Sequence, residues 1–387
     1  MATRKRYYED CHLSSFTAQV VSCVPTEKGW QIILSETAFY PEGGGQACDT
    51  GTLGGARVLD VRERGEAVVH LCDSPLEPGS TVTGEIDYQR RFELMQQHTG
   101  EHIVSGIIHS RWGYHNVGFH MGSELVTIDF DGPIPVEELP WIEEQANRAV
   151  WQDLPLHSWY PSPEELPNVG YRSKRELPWP VRVVEVPGFD KCACCGVHVA
   201  RTGEVGLVKI FSVVKFHQGV RIEMACGKRA LDHLSAVYVQ NKQVSQAFSA
   251  KILETGAAAR KMNELLAAEK YRVVGLQRQV FAAIAQECVE RGDVVRFEEG
   301  LDNAGLRDLT DGIAQVCGGI AAVFTGSDES GYSFCLAQRQ GDLRQLCREM
   351  TGALSGRGGG KPEFVQGSLR ATKEEILSFF RSKGIAC

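Results

Sequence analysis

The chain has 387 residues, with 41 Lys+Arg against 49 Asp+Glu for a net charge of -8, and is 43% hydrophobic and 23% charged. Its length excludes a single small module and predicts two or three domains of about 100 to 200 residues, while its composition suits folded cores and no membrane span. The acidic total opposes any chain-wide attraction to nucleic acid or to an anionic membrane surface, so such a contact is expected to be local. The 13 cysteines sit in a chain far longer than disulfide-stapled secreted domains, and no apolar signal segment follows the charged opening Arg4-Lys5-Arg6. Cytoplasmic thiols, some of them metal ligands, are therefore expected.

From Phe16 to Asp87 short alternating stretches such as Gln31-Ile32-Ile33-Leu34 and Ala67-Val68-Val69-His70 predict a β-rich, barrel-like domain over 1–88. It contains an unusual loop, Phe39-Tyr40-Pro41-Glu42-Gly43-Gly44-Gly45-Gln46. Residues 89–227 mix periods. Phe92, Met95, His98, Thr99, His102, Ile103 and Ile107 recur at helical steps, Glu124 to Phe130 alternates as a strand does, and a further helix is expected over Val136 to Trp151. The Pro-rich stretch Leu154 to Pro187 is expected to be irregular or strand-like.

Residues 228–291 place Leu234, Tyr238, Phe248, Ile252, Met262, Leu266, Val273, Leu276 and Val280 at three- and four-residue steps, which predicts a helical hairpin or coiled coil. Thr255-Gly256 is the expected turn of a hairpin; a continuous rod is the alternative. Residues 292–387 predict a small α/β domain, with strands at 320–324 and 332–336, helices at 343–351 and 373–383, and a Gly-rich loop from Ser355 to Pro362 between those helices. The fold class is thus α+β.

His98 and His102, four residues apart on a helix, project from one face and can share a metal ion. Cys194 and His198 repeat that spacing within Cys192-Ala193-Cys194-Cys195-Gly196-Val197-His198, completing a His₂-Cys-His set that suits zinc. Spacing does not choose among the thiols, because Cys192 and Cys195 form a Cys-x-x-Cys pair. His98-Thr99-Gly100-Glu101-His102 also reads as the H-x-x-E-H of a zinc metalloprotease with Glu101 as general base. Against that, a Cys-containing four-ligand set leaves no open position for the activated water of a typical zinc protease.

The segments Phe39 to Gln46, Gln97 to His102, Val117 to His120 and Cys194 to Glu204 resemble the editing region of alanyl-tRNA synthetase and, more closely, its free-standing relatives, the AlaX alanyl-tRNA editing proteins. The C-terminal Gly-rich segment resembles the DHHA1 domain that ends the synthetase and the long AlaX form. The resemblance implies a cytoplasmic trans-editing hydrolase, zinc-dependent, that cleaves the ester of tRNA(Ala) wrongly charged with serine or glycine. It implies His98, His102, Cys194 and His198 as zinc ligands, although Cys194-Cys195-Gly196-Val197-His198 departs from the usual Cys-Gly-Gly-Thr-His.

Within that reading Thr99 is a candidate for recognising the substrate hydroxyl. Gln46, Gly44 and Gly45 are candidates for approaching the CCA end, and His120 for orienting water or ribose. Arg357 and Lys361, with Gly358 and Gly359, are candidates for tRNA phosphate contact in a region with a local basic excess. A homodimer through the helical or C-terminal region is a further expectation. A tRNA-binding protein without turnover is the remaining alternative.

Overall fold

A computed structural model describes residues 2–173 and 177–385 and divides the chain into two units, Met1–Gln243 and Val244–Cys387. In the first unit the alternating stretches close into an antiparallel barrel. Around its wall run Ser15–Thr26, Gly29–Leu34, Ala67–Cys72, Ala56–Arg64, Gly51–Leu53 and Thr81–Ile86, the last pairing back with the first. Every second residue points inward, so Phe16, Ala18 and Val20 meet Ile32, Leu34, Val58 and Val61 in one apolar core. Phe39, the first residue of the Gly-rich loop, is buried in that core.

The centre of the unit is helix α1, Tyr88–Trp112. Asp87 caps it through the Arg90 N–H, and Gly113 ends it in the left-handed conformation, φ 74°. Every residue from Leu94 to Ile108 is buried, because α1 packs against helix α2, Leu139–Trp151, and against a four-stranded antiparallel sheet. That sheet has the order Val208–Phe216, Gly219–Cys226, Val126–Phe130, Asn116–Met121. Polar side chains on such a helix must find partners inside the protein. The helix expected from Val136 starts as an α-helix only at Leu139, with Pro140 in its first turn, where a missing N–H costs nothing. The described part of the Pro-rich stretch contributes short strands His157–Trp159 and Val183–Val186, which pair with Asp190–Ala193; residues 174–176 lie outside the description.

Helix α3 spans Gly227–Ala247 and helix α4 spans Thr255–Glu287, so a continuous rod is not formed. Thr255 and Gly256 are the first residues of α4, and the chain reverses its local conformation earlier, at Ser249 with φ 49°. Both helices carry apolar side chains that are exposed, among them Tyr238, Leu266 and Leu276.

In the second unit the end of α4 packs Ala285 and Cys288 against Leu306, Leu309 and Ile313 of helix α5, Asn303–Ala314. Helix α5 is not among the elements expected from the sequence; its signals are the Asp302 cap on the Gly305 N–H and apolar residues at 306, 309 and 313. A five-stranded sheet follows the order Gly292–Phe297, Gly318–Ser327, Gly331–Ala337, Phe364–Leu369, Arg357–Lys361, with helix α6, Arg344–Ala353, before its last two strands in sequence and helix α7, Lys373–Ser382, after them. The Gly-rich segment is therefore an exposed edge strand and not a loop. Glycine is needed for close approach there: a Cβ on Gly358 would lie 2.7 Å from the Phe334 ring, and one on Gly360 2.2 Å from the Phe364 carbonyl oxygen. No helix among the described residues is long and apolar enough to cross a membrane.

Candidate metal centre

Helix α1 holds His98 and His102 one turn apart, and the segment after Asp190–Ala193 brings Cys194 and His198 to them. The four ligand atoms lie within 4.8 Å of one another. Cys194 Sγ is 3.4 Å from His98 Nε2 and 3.4 Å from His198 Nε2. A tetrahedral zinc site with ordinary bond lengths separates sulfur and nitrogen ligands by about 3.5 Å, so this donor set fits the ion in type, number and spacing. Cys192 belongs instead to a neighbouring group with His102 and Asp190, and Cys195 is exposed.

Each imidazole is fixed from behind. His98 Nδ1 donates to Gln46 Oε1 at 2.9 Å, and the Val197 N–H meets the same oxygen at 3.2 Å, which sets the orientation of the Gln46 amide. His198 Nδ1 lies 3.2 Å from Thr99 Oγ1, which also accepts from the Val199 N–H. His102 Nδ1 lies 3.0 Å from Asp190 Oδ2, at ion-pair distance but without the alignment of a hydrogen bond, and Arg172 holds the other Asp190 oxygen at 2.6 Å. All three histidines thereby turn Nε2 toward the cluster centre, as metal-ligating histidines with oriented outer partners do.

The electrostatics favour the ligand forms of Cys194 and His198, while the shift of His102 favours its protonated ring, whose proton a metal would displace. Burial alone would raise the Cys194 thiol, but His98, His102 and His198 outweigh it and hold it well below its ordinary range. Burial, joined by His98 and His102, pushes His198 down to about 3, leaving its imidazole neutral. Burial opposes charging of His102 as well, yet Cys194 and Asp190 prevail and raise it. Burial would raise Asp190, but His102 and Arg172 hold it below the usual carboxylate range.

The Gly-rich loop of the barrel is built to deliver Gln46. Gly43 and Gln46 exchange backbone hydrogen bonds of 3.1 and 3.0 Å across Gly44 and Gly45, whose φ values of 60° and 85° both lie in the left-handed region. A Cβ on Gly45 would lie 2.7 Å from Phe119, whose ring stacks on His98 at 5.3 Å. Arg91, wholly buried on α1, pairs with Asp49 and donates to the Ala38 carbonyl, tying the loop's base to the helix. On the opposite segment Arg182 donates to the carbonyls of Cys194 and Gly196 and stacks over Tyr8, whose hydroxyl bonds the Cys195 carbonyl.

His98, His102 and Cys194 of this cluster line a cavity of about 470 Å³ whose wall also includes Gly44, Gly45 and Phe119. Thr99 and Gln46 are fully buried and do not line it; Thr99 Oγ1 and Gln46 Oε1 are engaged with the histidines, and Gln46 Nε2 is buried without a partner among the described residues. His120 is exposed and does not line it either, because alternation along Asn116–Met121 sends it to the side opposite Phe119. Arg357, Gly358, Gly359 and Lys361 lie on the exposed edge strand of the second unit. Asp190, Arg172, Asn116 and Arg182 were missed in the sequence, where single polar residues far from any motif give no signal.

Residues 181–223 match the family model described as Threonyl and Alanyl tRNA synthetase second additional domain, and residues 4–90 match that of tRNA synthetases class II (A). The chain is 28% identical over 394 residues to the alanyl-tRNA editing protein Aarsd1-A of Xenopus laevis, covering 95% of both. It is 28% identical over 403 residues to the alanyl-tRNA editing protein Aarsd1 of Mus musculus, covering 96% of this chain and 97% of that one. An alanine–tRNA ligase of Thermofilum pendens is 31% identical over 400 residues, 96% of this chain but 43% of the ligase. The C-Ala domain of Aquifex aeolicus alanyl-tRNA synthetase aligns with 23% of this chain and 86% of its own, at 19% identity and a TM-score of 0.21.

Proposed function

We propose that this chain, a homologue of the alanyl-tRNA editing proteins over nearly its whole length, is a zinc-dependent aminoacyl-tRNA deacylase that clears serine or glycine from tRNA(Ala). The observation that carries the reading is the convergence of His98, His102, Cys194 and His198, each imidazole held through its second nitrogen, beside a cavity.

His98, His102, Cys194 and His198 would hold the ion, and when bound it supplies positive charge where the ester oxygen develops negative charge. An aminoacyl ester is already an activated acyl group, so the protein's tasks are to position it, admit one water and exclude the rest. Gln46, Thr99 and Asp190 keep the histidine rings in register, and Phe119 closes the apolar side of the cavity over His98. The Gly44-Gly45 turn presents backbone without side chains at the cavity wall, which suits close approach of the terminal nucleotide. Arg357 and Lys361, exposed on the edge strand, are suited to contact tRNA phosphate.

The metalloprotease reading is less well supported. Glu101 spends one carboxyl oxygen on Ser105 and Asn116, and the two further ligands close a tetrahedral set. The test is release of serine from Ser-tRNA(Ala) beside alanine from Ala-tRNA(Ala). Selective release by the purified protein supports the deacylase, whereas binding of tRNA without turnover would leave a binding protein.

A further inference from the structure

Glu101 stands between the two histidines of α1, is 4% exposed and lines the cavity. Its Oε1 accepts from Ser105 Oγ at 2.6 Å and from Asn116 Nδ2 at 2.5 Å. Its Oε2 accepts no hydrogen bond from the described residues and lies 3.9 Å from His102 Nε2. Asn116, 3% exposed, lines the same cavity, and its Oδ1 is buried without a donor. Two linked side chains thus leave a buried amide oxygen without a donor, and a cavity-lining carboxylate oxygen without a hydrogen bond from the described residues, beside the proposed reaction site. An unmet buried acceptor is costly and a carboxylate without compensation more so, and the pair calls for a ligand with several N–H donors and positive charge.

We propose that Glu101 and Asn116 form the subsite for the α-ammonium group of the aminoacyl ester, an inference that rests on the deacylase reading. The α-amino nitrogen is the one cationic group of an aminoacyl moiety, and it lies about 2.5 Å from the ester carbonyl carbon by ordinary covalent geometry. An ammonium held by Oε2 therefore sets the scissile carbonyl next to the histidine cluster. Side-chain identity is read elsewhere in the cavity, and the subsite serves every aminoacyl ester alike.

The test compares two esters of tRNA(Ala), one of serine and one of glyceric acid, its isosteric α-hydroxy analogue without the charge. Wild-type protein, Glu101→Gln and Glu101→Asp are assayed as full chains, with metal content and melting temperature measured for each. A charge-assisted hydrogen bond of about 1.5–3 kcal/mol corresponds to about 10–100-fold in kcat/KM. The ratio of seryl to glyceryl hydrolysis is expected to fall by that factor in Glu101→Gln and by less in Glu101→Asp, while the intrinsic reactivities of the two esters cancel. An unchanged ratio, with both substrates slowed equally, would overturn the subsite and make Glu101 a group that acts on water. Should Glu101→Gln lose metal or unfold, the Glu101→Asp ratio decides in the same way. Hydrolysis of neither ester by the wild-type protein would instead sink the deacylase reading and the subsite with it.

Discussion

The chain contains two glycine-rich segments that look alike as text and behave differently as structure. In the barrel, Gly44 and Gly45 occupy left-handed conformations and turn the chain so that Gln46 is buried against His98. In the second unit, Gly358, Gly359 and Gly360 lie in an extended edge strand, and two of them serve close packing against Phe334 and the neighbouring backbone. One segment uses the freedom of glycine in φ, the other the absence of a side chain. The first holds a histidine of the candidate metal centre; the second leaves two cations, Arg357 and Lys361, on an exposed edge.

The largest effects should fall at the first segment's target. His98→Ala or Cys194→Ala is expected to abolish zinc binding and to lower deacylation by several orders of magnitude, as checked by metal analysis and Ser-tRNA(Ala) turnover; stoichiometric metal in either variant would break the assignment. Gly196→Ala sharpens it, since a Cβ there would lie 2.1 Å from His98 Cε1 and 3.1 Å from Gln46 Oε1. The variant should fold, lose about 1–3 kcal/mol in denaturant unfolding and bind zinc more weakly.

Gln46→Ala and Asp190→Ala remove the partners of His98 and His102, and each should weaken zinc affinity by about 10–100-fold in a competition titration. Unchanged affinity would show that the rings are held by packing alone. Asp190 adds a pH signature. Its carboxyl is held below the ordinary range, so its contribution to stability is complete above the unfolded carboxylate range near pH 4 and is lost as pH falls through the lower folded value. Asp190→Asn should flatten that acid limb of the unfolding curve.

At the second segment the effects should be small and of another kind. Gly359→Ala meets nothing within 4 Å and should change stability by less than about 0.5 kcal/mol. Arg357→Ala with Lys361→Ala should weaken tRNA binding and reduce its salt dependence by about two charges, while hydrolysis of a minimal aminoacyl ester stays unchanged. Loss of activity on the minimal ester would end the separation of the two segments.

What the sequence made legible follows from periodicity and repetition. Alternation from Phe16 to Asp87 announced the barrel, and paired four-residue spacings announced the His98, His102, Cys194 and His198 cluster, because both patterns recur often enough to be seen in one chain. Helix α5 escaped because its apolar stripe covers only three turns and carries Thr310 on its buried face. Thr99 suggested a substrate-facing role because it adjoins His98, and Gln46 because it follows the glycines of the barrel loop. The structure turns them inward, since a histidine that presents Nε2 needs a partner at Nδ1 and these are the polar atoms within reach. Asp190 and Asn116 reach the site only through strand pairing and the fold of the chain, which no local pattern encodes.

The central claim is a metal centre that serves ester hydrolysis on tRNA(Ala). It is tested most directly by following serine and alanine release from Ser-tRNA(Ala) and Ala-tRNA(Ala) with zinc-loaded, chelator-stripped and zinc-restored protein. The account predicts preferential release of serine that is lost on stripping and returns with zinc. Equal turnover by loaded and stripped protein, or none by the loaded protein, would contradict it.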